Sequence, residues 1–292
     1  MTSLKLNTSS RWYVDASWRA VLAVTAGIAA LILLLTFSFL TREAWPVVGD
    51  GGWRALFLDD NWYPTEQQFG LLNMVWATLA AGFGAVLVAA PLGVACAIFQ
   101  RFYAPPQIKT IFSLMMALLA GIPSVVYGLW GLTVLVPIIS EWRPPGASLL
   151  AAILVLALMI LPTVALTAVS ALDSVREDLL RGAAALGMTR KGQVVGVAVP
   201  AARAGITGGI VLALARALGE TMAVLMVAGN VVQAPGSLFD SVRVLTANIA
   251  LEMAYATGTH RSGLFASGLL LTVLVLVLAL LGIRLSGSHR HA

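Results

Sequence analysis

Six stretches of this 292-residue chain are apolar over about 20 residues or more, the length at which an α-helix crosses a hydrocarbon layer. They run from Trp18 to Leu40, Leu71 to Phe99, Ile111 to Ile139, Ala147 to Ser170, Thr207 to Ala234 and Ser262 to Ile283. Lipid offers no partner to a free backbone N–H or C=O, so segments of this kind are helices. The expectation is an all-α fold, a polytopic membrane helical bundle of six transmembrane helices. Composition agrees: 59% of residues are hydrophobic and 11% charged, against about 25% charged in a soluble domain. The net charge of +5 lies in short runs between the apolar stretches, which speaks against a nucleic-acid partner. The first stretch follows Arg11 and Arg19 as a signal peptide would. It is too long for one and lacks a small-residue cleavage site beyond Phe39, so it reads as a retained span. Cys96, the one cysteine, sits in an apolar run and reads as a small buried residue.

Lys and Arg are retained on the cytoplasmic side of connections. With the N-terminus inside, twelve of them lie in inside segments (Lys5, Arg11, Arg19, Arg101, Lys109, Arg176, Arg181, Arg190, Lys191, Arg203, Arg284, Arg290) and five outside (Arg42, Arg54, Arg143, Arg243, Arg261). The expected layout is a cytoplasmic N-terminal tail, 1–17, a transmembrane domain, 18–283, and a cytoplasmic C-terminal tail, 284–292. The first outside loop, Thr41 to Gly70, carries Trp45, Trp53, Trp62 and Tyr63, suited to a cap facing either lipid or a partner.

Small residues cluster within the spans, as at Ala80-Ala81-Gly82-Phe83-Gly84 and around Gly205 to Gly209, and predict close helix packing. Pro91, Pro123, Pro137 and Pro162 predict kinks or breaks. The third span is interrupted at Gly121-Ile122-Pro123-Ser124 and continues Tyr127-Gly128-Leu129-Trp130-Gly131. Such a broken helix is either a packing kink or part of a transport path.

The longest inside connection, 171–206, predicts two short helices. One starts near Asp173 or Ser174, with acidic groups in its first turn, and stops at Gly187. The other runs from about Arg190 to Val199 and is ended or bent by Pro200. This knob is either a surface loop or a docking element for a cytoplasmic partner. No nucleotide-binding, serine-elbow or zinc motif is present; His260 falls in an outside loop, and the two tail histidines, His289 and His291, read as incidental rather than as ligands. The chain therefore reads as non-catalytic, binding no metal and no cofactor. Uphill transport would draw on an ion gradient or on another subunit.

Arg216 and Glu220 fall inside the fifth span, four residues apart on one helix face, and Asn230, fourteen positions beyond Arg216, returns to within about 40° of that face. A charge at such depth costs about 2.5 kcal/mol or more unless it is paired or wet. Either the two form a structural ion pair, or they line a path in which Arg216 attracts an anion and Glu220 moderates its hold.

Residues 181–200 resemble the cytoplasmic coupling loop of bacterial ABC importer permeases, Glu-Ala-Ala, three residues, Gly, nine residues, Ile-x-Leu-Pro. Ala183, Gly187 and Pro200 match at that spacing, Val197 and Val199 stand for Ile and Leu, Gly182 replaces an alanine, and Arg181 stands where the family has its leading glutamate. Within these permeases the chain resembles the phosphate-specific transport permeases of the C type, through Gly121 to Gly131, Arg216 to Val224 and Leu245 to Glu252. The related A type continues after Gly-Glu-Thr with Ala-Pro, where this chain has Met222-Ala223.

The resemblance implies the type I, MetI-like importer architecture in a bacterial inner membrane, with the permease core over 69–283. It implies a path carried by Arg216, Glu220, Thr221, Asn230, Ser124 and Tyr127, and ATPase coupling through Arg181, Gly182, Ala183, Gly187 and Pro200. The implied partners are an A-type permease subunit, two ATP-binding subunits that use the ATP, an extracytoplasmic phosphate-binding protein and a cytoplasmic phosphate-signalling regulator. A permease for sulfate or molybdate, a phosphate-sensing membrane scaffold and a proton-coupled carrier are the alternatives. The carrier is disfavoured by the knob.

Overall fold

The computed structural model describes residues 8–49 and 52–287; Lys5, His289, Arg290 and His291, assigned above to the tails, lie outside the described residues. The chain begins with a long helix, α1 (Thr8–Val48), and a short one, α2 (Gly52–Leu58). A two-residue hairpin follows, β1 (Trp62–Tyr63) antiparallel to β2 (Gln68–Phe69). Next come α3 (Leu72–Ile98), α4 (Pro106–Gly121), α5 (Ser124–Trp130), α6 (Val136–Trp142) and α7 (Leu149–Asp173). The connection after α7 holds α8 (Glu177–Ala185) and α9 (Arg190–Gln193). The chain closes with α10 (Val199–Leu218), α11 (Met222–Val227), α12 (Leu245–Glu252) and α13 (Gly258–Gly287).

Six helical stretches among the described residues are long and apolar enough to span a membrane: Trp18–Val48, Leu72–Tyr103, Ser124–Trp142, Leu149–Asp173, Arg190–Leu218 and Gly258–Gly282. Two differ from the sequence expectation. The third span starts at Ser124, because the break at Ile122-Pro123 leaves α4 as a separate helix. The fifth starts at Arg190 and stops at Leu218, so the second helix of the knob and the span are one continuous stretch. A π-helical turn, Val194–Ala198, joins them immediately before Pro200, and a second, Gly131–Leu135, precedes Pro137. Each widened turn makes room for the proline that follows, which has no N–H to donate, so the helix bends instead of ending.

Helix α7 is the centre. Ser148 caps it by accepting from the Ala151 N–H at 3.4 Å, and apolar residues on every side of it are buried, among them Leu156, Met159, Ile160 and Val164. A helix apolar all round belongs in the middle of a bundle. Helices α3 and α10 pack against it, at distances that only small residues allow. A Cβ at Gly82 would lie 2.6 Å from Leu218, and one at Gly84 2.6 Å from Ile153. Packing of this closeness replaces the hydrophobic effect, which lipid does not supply between helices. Helix α1 lies at the edge against α13, with most of its described side chains exposed. Cys96, expected to be buried, is half-exposed on α3. Trp62, expected in an interfacial cap, is a core residue at 5% exposure, whereas Trp45, Trp53 and Tyr63 are exposed.

Candidate functional site

Two helix breaks meet in the middle of the bundle. At the first, Ile122 and Pro123 take extended backbone (ψ 128° and 142°), ending α4 and starting α5. The freed Leu119 carbonyl accepts the Ile122 N–H at 3.3 Å and the Tyr127 hydroxyl at 2.7 Å. Tyr127, expected to face a path, is buried at 5% exposure with its hydroxyl committed to the break. Ser124 is half-buried at the first position of α5, and its hydroxyl makes no hydrogen bond among the described residues.

At the second break α10 stops at Leu218 and α11 starts at Met222, with Gly219, Glu220 and Thr221 between them. Glu220 turns onto the start of α11, where Oε1 accepts from the Ala223 N–H at 3.5 Å, and its carbonyl accepts from the Thr246 hydroxyl at 2.8 Å. Helix α11 packs on α5. Gly128 permits that approach, since a Cβ there would lie 2.9 Å from both Ala223 Cα and Met226 Sδ.

These breaks revise the proposed charged face. Arg216 and Glu220 do not form an ion pair, because the helix that would bring them together ends between them. Arg216 is exposed, has no ion-pair partner among the described residues, and stands within electrostatic range of Tyr127. Asn230 is not on the Arg216 face. Its backbone is left-handed (φ 59°), its side-chain amide donates to the Leu225 carbonyl at 2.8 Å, and its main-chain carbonyl accepts from Arg243 Nε at 2.9 Å. The helical extrapolation fails for a local reason: Gly219 and Glu220 break the periodicity on which it rests.

Sequence reasoning missed a third arrangement, centred on Glu252 at the end of α12. Oε1 of Glu252 accepts from Arg243 at 2.7 Å, and Oε2 accepts from the Trp62 indole at 2.8 Å and lies 2.9 Å from His260 Nε2. The same Arg243 nitrogen donates to the fully buried Asn248 at 3.1 Å. Segments from the first loop, the 228–244 connection, α12 and the first turn of α13 are thereby tied to one carboxylate. His260, which the sequence placed in an outside loop without a role, is part of this tie. Glu252, Arg243 and Trp62 of the tie also line a 410 Å³ cleft, together with Asp60 and Asn230. The signal available in the sequence was Glu252 at the end of a matched motif, flanked by Arg243 and His260, but nothing local pointed to Trp62.

In the connection after α7, Gly187 is left-handed (φ +76°), as expected. The Met188 N–H reaches the Ala183 carbonyl at 3.2 Å and the Gly187 N–H reaches Ala184 at 3.0 Å, closing α8 with a Schellman motif. Thr189 then caps α9 through the Gly192 N–H at 3.2 Å. Asp173 and Ser174 do not cap α8, which begins at Glu177. Asp173 ends α7 and pairs with Arg101 at 2.7 Å. Arg181 forms an ion pair with Glu177 one turn earlier on the same helix. Gly182 is exposed, Ala183 is buried against the core, and Pro200 sits in the first turn of α10. Leu186, at 85% exposure, leaves the knob with an apolar tip.

Residues 89–288 match the profile of the family described as binding-protein-dependent transport system inner membrane component. The chain belongs to this family of transport permeases. Among curated relatives, the probable ABC transporter permease protein YqgH of Bacillus subtilis is 42% identical over 236 residues, 79% of this chain and 76% of that one. The phosphate transport system permease protein PstC of Haemophilus influenzae is 34% identical over 302 residues, covering 94% of this chain and 95% of its own. The inward-facing MetNI methionine ABC transporter has a permease-like chain of the same fold, with a TM-score of 0.60 at 22% identity over 78% of this chain and 99% of that one. The permease is thus a multi-pass inner membrane protein of the MetI-like architecture. In this permease the two breaks coincide with the motif segments Gly121 to Gly131 and Arg216 to Val224.

Proposed function

We propose that this chain is the C-type permease subunit of an ATP-driven phosphate importer. The observation that carries the reading is the near end-to-end similarity to phosphate permeases named PstC, at 34% identity over 94% of the chain. The three matched motifs supply the two helix breaks and the Glu252 tie. The geometry supports the same chemistry. Arg216, exposed and free of a carboxylate partner among the described residues, offers a positive charge to an anion. Ser124 and Thr221, beside the two breaks, have hydroxyls without hydrogen bonds among the described residues. Glu220 is held to the start of α11, so it tempers the field near Arg216 without neutralising it by contact.

The permease works with a second permease and with ATP-binding subunits. More specifically, the partners are an A-type permease, two copies of an ATPase that dock on the Gly187 knob, an extracytoplasmic phosphate-binding protein and a cytoplasmic regulator of phosphate signalling. The chain binds no cofactor and catalyses nothing itself, and both termini are cytoplasmic. Arg181, engaged with Glu177, does not replace the charge contact of the family's glutamate, so docking falls to the exposed apolar tip at Leu186.

The test is reconstitution of the assembled transporter in phosphatidylcholine liposomes with its binding protein. ATP-dependent uptake of labelled phosphate, with sulfate and molybdate neither taken up nor competing, is the expected result. Uptake of sulfate or molybdate in preference to phosphate would overturn it.

A further inference from the structure

A groove of 510 Å³ between α4 and the end of the α3 span has no role in transport as described above. Gln100, Lys109, Thr110, Ser113, Leu114 and Ala117 line it. It lies at a membrane boundary, because the second span ends at Tyr103 and α4 begins at Pro106. Lys109 and Ser113 are four residues apart on one helix, so both side chains reach the same side.

Three polar groups in this groove lack protein partners among the described residues. The Lys109 ammonium is half-buried and takes part in no ion pair. The Ser113 hydroxyl makes no hydrogen bond. Gln100 is 3% exposed, and its Oε1 is buried without a donor. The carboxylate at the adjoining end of α7, Asp173, is already bound to Arg101 at 2.7 Å. A buried acceptor and a half-buried ammonium left unpaired are both unfavourable, so the set calls for a ligand that is anionic and also carries a donor.

Towards the middle of α4 the lining changes from polar to apolar. Leu114 is 60% exposed, and Leu118, one turn further, is 62% exposed. A free ion has no use for that track, whereas an acyl chain does.

We propose that this groove holds the headgroup of an anionic glycerophospholipid. Lys109 and Ser113 donate to its phosphodiester oxygens, a hydroxyl of the headgroup donates to Gln100 Oε1, and an acyl chain lies along Leu114 and Leu118. Phosphatidylglycerol meets each requirement, with one negative charge, headgroup hydroxyls and two chains.

The test uses the full transporter in detergent, with retained lipid counted by native mass spectrometry during titration with dioleoylphosphatidylglycerol. Lys109→Gln is expected to weaken retention about tenfold, as loss of a charge-assisted contact does, and Lys109→Arg to restore most of it. Dioleoylphosphatidylmethanol keeps the phosphodiester but lacks the headgroup hydroxyls, so it should bind more weakly than phosphatidylglycerol to the parent protein. Gln100→Leu should erase that difference. A parallel arm measures labelled inorganic phosphate in phosphatidylcholine nanodiscs with and without added phosphatidylglycerol. Binding that depends on Lys109 and displaces phosphatidylglycerol would assign the groove to free phosphate and overturn the lipid assignment. Equal lipid retention by parent and Lys109→Gln overturns it too, as does crosslinking from position 109 to another polypeptide of the complex in place of lipid.

Discussion

Arg243 with Glu252 and Arg216 with Glu220 are both arginine–glutamate pairs in an apolar molecule, and they are handled in opposite ways. Glu252 is nearly buried, receives Arg243 and Trp62 and contacts His260. Arg216 and Glu220 are kept apart by a helix end, and Arg216 stays exposed. A charge held by several short contacts locks segments together and is not available to a passing ion. A charge left without a contact partner stabilises nothing locally but can be used in turn by successive anions. The difference lies in the backbone: α12 delivers Glu252 to its partners, whereas the break after Leu218 withholds Glu220 from Arg216.

The largest expected effect is on the locked pair. Glu252→Ala leaves Arg243, whose side chain is 19% exposed, without its carboxylate, and removing one partner of a buried pair costs about 3–5 kcal/mol. Thermal unfolding of the purified protein should show a matching fall in Tm, with loss from the membrane in cells. An unchanged Tm would erase the contrast between the two pairs.

Next is the packing that brings the breaks together. Gly128→Ala forces a Cβ against Ala223 and Met226, an overpacking cost of about 1–3 kcal/mol. Uptake should fall along with Tm; a variant as stable and active as the parent would mean that α5 and α11 are not held at this distance.

Arg216→Gln should separate function from stability. ATP-driven phosphate uptake is expected to drop about tenfold, corresponding to about 1.4 kcal/mol, while Tm moves by less than about 2 °C. Exchange of the charges, Arg216→Glu with Glu220→Arg, should not restore uptake, because the two groups are not in contact. Recovery of uptake in the exchanged protein would make them a structural pair after all.

The smallest effect belongs to Gly187. Nothing lies within 4 Å of a Cβ placed there, so Gly187→Ala meets only the left-handed backbone penalty of about 1 kcal/mol. The expected outcome is a modest loss of transport per ATP hydrolysed, and a smaller one for Gly187→Asn. An alanine variant that abolishes coupling would point to direct contact at this position in place of backbone geometry.

Features written in consecutive residues were legible. The Gly121-Ile122-Pro123 run breaks the helix through its own backbone, since the residue before a proline is pushed to extended geometry, and a glycine following Ala183-Ala184-Ala185-Leu186 is a ready left-handed stop. The face shared by Arg216, Glu220 and Asn230 was not legible, because it assumed a helix through Gly219 and Glu220 that the chain does not form. The start of α8 was misplaced for a related reason. Asp173 has the chemistry of a cap, but Arg101, far away in sequence, claims it.

The sequence by itself determined that the chain lives in lipid, that it is helical, where its spans lie approximately, and which family it resembles. Hydrophobic length, proline and glycine act through a few neighbouring residues, and a bilayer leaves the backbone no alternative. The tertiary structure alone decided which charges are locked and which are left open. Trp62 and Glu252 are 190 positions apart, and their contact exists only because the packing of α13, α12 and the first loop brings both to one place. Ionic partners are chosen by distance in space, and distance in space is set by the whole bundle.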